Sequence, residues 1–215
     1  MNGTTESART VAKRIHLAVY DTYADWETGH TTAHLTQRGH QVRTVALAAE
    51  QPVTTMGGVR IQPDMALADL KPEDSALLIL TGASLWDTSD ELAPFAEKAR
   101  EFLAAGVPVA AICGATAGLA RAGLLDDHHH TSAAAAYLSE QPGYGGAERY
   151  VEADAVTDGS LITAGPTEPV AFAREVFAQL GVYQPEVLDA WYRLFHDSDE
   201  SAFPVLMAAA ERGDA

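Results

Sequence analysis

Short apolar runs alternate along this chain with stretches whose apolar residues recur at helical spacing. Residues 14–20 (RIHLAVY) form the first run and predict a buried strand. A helix is predicted over 26–38, stopped by Gly39, and a second strand over 42–47 (VRTVAL). Gly57 and Gly58 then sit between two short extended pieces and predict a hairpin. Residues 76–80 (ALLIL) are apolar throughout, too short for a helix and suited to a central parallel strand. Helical period returns over 91–104, ended by Gly106, and another buried strand follows at 107–112 (VPVAAI). A helix is expected at 115–122, two strands within 150–163 turning at Asp158-Gly159, and a helix over 167–180 with Gly181 past its end. Beyond Pro185 the pattern is helical again and carries Trp191, Tyr192 and Phe195. The expected organisation is a frayed terminus at 1–13, one α/β domain over 14–182, and a helical extension over 183–215 docked on it.

Strands alternating with helices at this spacing imply right-handed crossovers and a parallel sheet covered on both faces. Sites in such sheets form beyond the carboxyl ends of the strands. Three segments fall there: residues 25–27, residues 81–83, and Cys113. Composition changes little, since 47% hydrophobic and 20% charged residues are ordinary values. Charge changes more. A net charge of −16 repels phosphate backbones and anionic membranes, which argues against nucleic acid and membrane partners and favours a small-molecule substrate. The first fifteen residues do not read as a signal peptide, and no stretch approaches about 18 uninterrupted apolar residues. A cytoplasmic protein without cofactor is expected. One cysteine rules out an internal disulfide framework.

That cysteine lies in residues 110–118 (AAICGATAG). A buried strand runs into Cys113, and small residues on both sides let the chain reverse sharply into a helix, the geometry of a nucleophile elbow. At a helix N-terminus the dipole and free N–H groups lower a thiol's pKa toward the reactive thiolate. The competing reading is a buried core cysteine.

Strand-Cys113-Gly114-Ala115-Thr116, with Gly123-Leu124-Leu125-Asp126 ten residues on, resembles the PfpI superfamily. Asp25-Trp26-Glu27-Thr28 resembles the place where that family keeps an acidic residue beside its cysteine. Leu80-Thr81-Gly82-Ala83 is similar to its Leu-Pro-Gly-Gly turn, and residues 161–166 (LITAGP) resemble the strand before its final helix. The resemblance covers roughly residues 14–182. It implies a flavodoxin-like three-layer sandwich with a central, mostly parallel sheet, related to class I glutamine amidotransferases and usually homodimeric. It implies Cys113 as nucleophile, and Glu27 as a carboxyl hydrogen-bonded to it that holds its proton and serves proton transfer. From residue type alone Glu27 is equally an acid favoured by the dipole at a helix start. The backbone N–H groups of Ala83 and Gly114 would form an oxyanion pocket.

The chain departs from that family at its histidines. Protease-type members carry His directly after the cysteine, where this chain has Gly114. Other members carry one about twenty residues downstream, at Ala133 here. Glutamine amidotransferases need His-x-Glu before the last helix, and Thr167-Glu168 offers none. A glutaminase is therefore not expected, nor a protease. His128, His129 and His130 follow the elbow helix. Read as a strand, alternation sends His128 and His130 to one face, where one could swing toward Cys113, and His129 to the other. A solvated local cluster is the competing reading. Glu27, His30 and His34 share a helical face and could bind zinc, but a subunit contact or chance spacing explains them better, so no metal is expected. Three functions remain: a hydrolase or lyase, glyoxalase- or hydratase-like, adding Cys113 to a small carbonyl, amide or related electrophile; a non-enzymatic redox or stress sensor using the same thiol; and a scaffold whose thiol is a relic and whose aromatic C-terminal extension supplies the interface.

Overall fold

The computed structural model describes residues 13–212. The expected frayed terminus lies, but for Lys13, outside the described residues. β1 (Arg14–Ala18), β2 (Val42–Ala46), the antiparallel pair β3 (Val53–Thr54) and β4 (Arg60–Ile61), and β5 (Met65–Ala66) precede β6 (Ser75–Leu80), β7 (Val109–Ile112), β8 (Ala155–Asp158) and β9 (Leu161–Ala164). Seven of these strands form one sheet in the order β5-β2-β1-β6-β7-β9-β8. All neighbours in it are parallel except the β8–β9 hairpin. The expected α/β sandwich is therefore the observed fold. Runs such as LLIL in β6 and VAAI in β7 form the sheet's centre because both faces of a parallel sheet are covered. No helix of the described residues is long and apolar enough to cross a membrane.

The helices are α1 (Gly29–Gln37), α2 (Leu85–Thr88), α3 (Ala93–Ala104), α4 (Gly114–Arg121), α5 (Ala135–Ser139), α6 (Pro169–Leu180), α7 (Pro185–His196) and α8 (Phe203–Arg212). The chain moves one way along the sheet from β1 to β2 and the other way from β6 to β7. Right-handed crossovers therefore put α1 and α3 on opposite faces. α6 packs against α1, while α2, α3 and α5 pack around α4. The direction of winding switches between β1 and β6, the place beyond whose strand ends sheets of this kind form their sites.

Two expectations are corrected. The helix expected from residue 26 is broken: residues 25–27 form a single 3₁₀ turn, Thr28 leaves helical geometry at φ −118° and ψ 5°, and α1 starts at Gly29. The break lets Glu27 turn inward under the sheet's end, and Thr28 is held by a hydrogen bond between its hydroxyl and that of Tyr23. Residues 128–130 are not a strand. They form a loop whose single ladder contact is His130 beside Tyr150, so alternation does not apply to the three histidines.

α7 docks through an aromatic cluster around α1. Val187, Leu188, Ala190 and Trp191 are buried. Trp191 Nε1 donates to His34 Nε2 at 3.3 Å, and the Tyr183 hydroxyl meets His34 Nδ1 at 3.3 Å. Phe177, Phe195 and His30 complete the packing around His34. Burial, then the neighbouring His30 and Arg38 charges, hold His34 below its ordinary pKa. A histidine depressed in the folded state supports the fold above its unfolded pKa and ceases to as pH falls through the folded one. Acidification from pH 7.5 to 5 should therefore weaken α7 docking by on the order of 1 kcal/mol, the worth of the accepted hydrogen bond. Thermal unfolding of the wild type against His34→Gln checks this; an equal loss in both would mean that His34 is not the group responsible.

Candidate active site

β7 passes without a loop into α4, and Cys113 is the joint, with φ 58° and ψ −128°. For a residue other than glycine that conformation costs on the order of 1–3 kcal/mol and persists because its surroundings hold it. They do so on three sides. Cys113 N donates to Ala164 O of β9 at 3.0 Å. Gly114 lies so close to the β6 side that a Cβ on it would stand 3.3 Å from Ala83 O and 3.2 Å from Trp86 Cβ. Trp86 fills the space beside Gly118, with no room for a Cβ there. The small residues thus let α4 close against the turn after β6. The thiol itself is half-buried.

That turn is fixed from below. Trp86 Nε1 donates to Thr81 O at 2.8 Å and to the Tyr20 hydroxyl at 3.0 Å, and Tyr20 in turn donates to Thr81 O. The turn so held presents Gly82 N, which donates to Glu27 Oε2 at 2.6 Å. A Cβ on Gly82 would meet Glu27 Oε1 at 2.5 Å, Cys113 Cβ at 2.8 Å and Cys113 Sγ at 2.9 Å. Carboxyl and thiol therefore converge on one glycine. Glu27 is fully buried; its Oε1 makes no hydrogen bond of regular geometry, and the thiol is its hydrogen-bonding neighbour.

Burial pushes Glu27 up to about 7, against the pull of the Gly82 N–H and the thiol. Burial, then the charge and hydrogen bond of Glu27, push Cys113 up to about 12, and only the Gly114 N–H acts strongly in the other direction. The lowered thiol pKa expected from the helix dipole is corrected here: desolvation and a neighbouring acid outweigh the helix end. Two acids in contact titrate as a unit. The Glu27–Cys113 pair loses one proton near pH 7 and holds the other across the neutral and alkaline range.

Sequence reasoning missed two neighbours. Asp87 of α2 accepts a hydrogen bond from the Tyr137 hydroxyl of α5 at 2.6 Å, and both groups interact electrostatically with Cys113. No local pattern marks either residue. The proposed histidine partners are bonded elsewhere. His130 is buried, its Nδ1 on His128 O and its Nε2 on the Tyr144 hydroxyl, both at 2.7 Å. His128 and His129 face Asp158. The alternative zinc set also separates, since Glu27 serves Gly82 and the thiol while His34 binds Trp191 and Tyr183.

A parallel sandwich with a strained cysteine between central strand and helix, paired with a buried glutamate, defines a class of cysteine-elbow α/β proteins. The chain belongs to the DJ-1/PfpI family, whose model matches residues 13–179. It is 35% identical over 209 residues to the "Uncharacterized protease YoaZ" of Bacillus subtilis, covering 93% of this chain and 99% of that one. Among solved structures it is similar to a thiJ/pfpI family protein from Bacillus anthracis, with TM-score 0.86 and 37% identity over 91% of this chain and 96% of that one. It is also similar to the DJ-1 superfamily protein Atu0886 from Agrobacterium tumefaciens, with TM-score 0.80 and 31% identity over 86% and 98%. Membership supports a cysteine-type enzyme or a stress-related role in general.

Proposed function

We propose that the protein is a cysteine-dependent hydrolase or lyase that adds Cys113 to a small carbonyl or amide electrophile. The observation that carries this reading is the convergence of Cys113 Sγ and Glu27 Oε1 on Gly82. As sulfur attacks, the C–S bond forms and the carbonyl π pair moves to oxygen. The proton held by the pair passes through Glu27 to that oxygen, giving a thiohemiacetal from an aldehyde. From an amide, the amine leaves with that proton and water cleaves the thioester. In this reading the N–H groups of Gly114 and Ala83 form the oxyanion pocket. With −16 charge the surface favours neutral or cationic substrates over phosphorylated ones. The working unit in this reading is a homodimer.

Small aldehydes and amides incubated with the purified protein test the proposal. Turnover should vanish in Cys113→Ala and fall about 10²–10⁴-fold in Glu27→Ala, the usual worth of positioned proton transfer. Turnover that survives Cys113→Ala overturns the reading. A second reading, a redox sensor, is favoured because no histidine stands among the described hydrogen-bonding neighbours of the thiol; peroxide oxidation of Cys113 without turnover on any substrate would establish it. Ammonia release from glutamine and cleavage of casein should stay at background.

A further inference from the structure

We propose that Asp154, Glu168 and His196 form a binding site for one divalent transition-metal ion of the zinc type. The three residues come from separate elements: the turn entering β8, the N-cap of α6 and the last residue of α7. One ligand atom from each lies within 4.8 Å of the other two. His196 Nε2 is 3.5 Å from Asp154 Oδ2 and 4.0 Å from Glu168 Oε2. Tetrahedral ligands at about 2.1 Å from one ion stand about 3.4 Å apart, so closure asks for up to roughly 1.4 Å of side-chain motion at the widest pair.

The three groups share one focus, and their neighbours hold them toward it. The other nitrogen of His196, Nδ1, is 2.6 Å from Asp197 Oδ1. With Nδ1 on that carboxylate, Nε2 faces the Asp154 and Glu168 oxygens. Nε2 and two carboxylate oxygens thus face one point, where a metal cation can take the place of a proton. The Thr167 hydroxyl donates to Glu168 Oε1 at 2.9 Å and leaves Oε2 for the same point. The Tyr192 ring stacks on the imidazole at 4.5 Å and fixes its plane. Metal-binding histidines characteristically give their second nitrogen to a carboxylate in this way. Asp154 and Glu168 also line a cleft of about 310 Å³ that includes Ser132, Ala133 and Thr167, with room for water as further ligands. Imidazole with two carboxylates suits zinc and its neighbours, whereas calcium and magnesium prefer oxygen alone.

A bound ion would pin the last turn of α7 to the loop after β9. That loop continues from Ala164, whose carbonyl holds Cys113 N, so the site borders the elbow without including it. The test is calorimetric titration of zinc into the metal-stripped full chain at pH 7.5, with cobalt as spectroscopic probe. One zinc per chain and visible cobalt bands are expected. Glu168→Gln and His196→Ala should each weaken zinc at least tenfold and abolish the bands, and Asp197→Asn should weaken it about 10–100-fold. Cys113→Ser should bind as the wild type does. Magnesium should not compete. The isosteric Glu168→Gln decides the question if His196→Ala fails to fold. Absence of stoichiometric zinc, unchanged binding in Glu168→Gln, or loss of binding in Cys113→Ser overturns the site.

Discussion

Glu27→Gln should stabilise the protein by about 3 kcal/mol at pH 8 and by nothing near pH 4. Burial raises the carboxyl from 4.5 to about 7 in the folded chain, and each pKa unit is worth about 1.4 kcal/mol. Below pH 4.5 the group is neutral folded and unfolded, so its full support of the fold is present there. Between 4.5 and 7 the unfolded chain ionises while the folded one resists, and that support is lost; above 7 the deficit is constant. Glutamine keeps an oxygen for the Gly82 N–H and never ionises. In a chain of this size the gain at pH 8 amounts to a rise in Tm on the order of 10 °C, by differential scanning calorimetry. The sign does not depend on whether oxygen or sulfur holds the pair's second proton, because the linkage counts protons and not their places. A functional acid removed for a gain in stability is the usual trade at such sites. Equal Tm values for variant and wild type at pH 8 would show that the carboxyl is not desolvated.

The same substitution reads out the pairing. Alkylation of Cys113 by iodoacetamide in the wild type should show a first rise near pH 7, as the pair loses its first proton, and a second toward 12. In Glu27→Gln one titration remains, between those values, because no carboxylate opposes the thiolate. An unchanged profile would separate Glu27 from the thiol.

The sheet was legible because a parallel strand buried on both faces must be apolar throughout, and ALLIL and VPVAAI are. The elbow was legible for a similar reason: only small residues let α4 close on the turn after β6, and Gly114 and Gly118 both lie against Trp86. Glu27 was not. Its neighbours in sequence mark a helix start, and only the family resemblance placed it by the cysteine; its inward turn depends on the break at Thr28. The raised thiol pKa was illegible too, since the helix end is local while the burial and the opposing acid come from elsewhere in the chain. His128 and His130 misled because alternation holds only on a strand, and the chain there is a loop anchored by the His130–Tyr144 hydrogen bond. Asp87 and Tyr137 sit on helices of four and five residues, whose meeting is set by the packing around α4. Asp154, Glu168 and His196 share no spacing at all and meet only because α7 folds back over α6.

Gly82→Ala should slow the chemistry of the site on the order of 10²-fold while leaving a folded protein. The new Cβ would stand 2.5 Å from Glu27 Oε1, 2.8 Å from Cys113 Cβ and 2.9 Å from Sγ, all below contact distance. Cys113 Cβ cannot move aside, because the elbow backbone is held by Ala164 behind it and by the packing of Gly114 in front. The turn after β6 must retreat instead, which breaks the Gly82 N–H bond to Oε2 and separates carboxyl from thiol. Overpacking of this kind costs about 1–3 kcal/mol, and displacement of a reacting group by about 1 Å costs on the order of 10²-fold in rate. Gly146→Ala is the control: its Cβ would stand 2.8 Å from Leu125 O and 2.9 Å from His130 Cε1, and it should destabilise comparably yet leave the alkylation profile of the folded fraction as in the wild type. Removing the nearest colliding atom should restore part of the loss, so Gly82→Ala combined with Glu27→Ala should be more stable than the sum of the single effects by at least about 0.5 kcal/mol. If the double variant is simply additive, and Gly82→Ala alkylates as the wild type does, the three groups do not meet at Gly82.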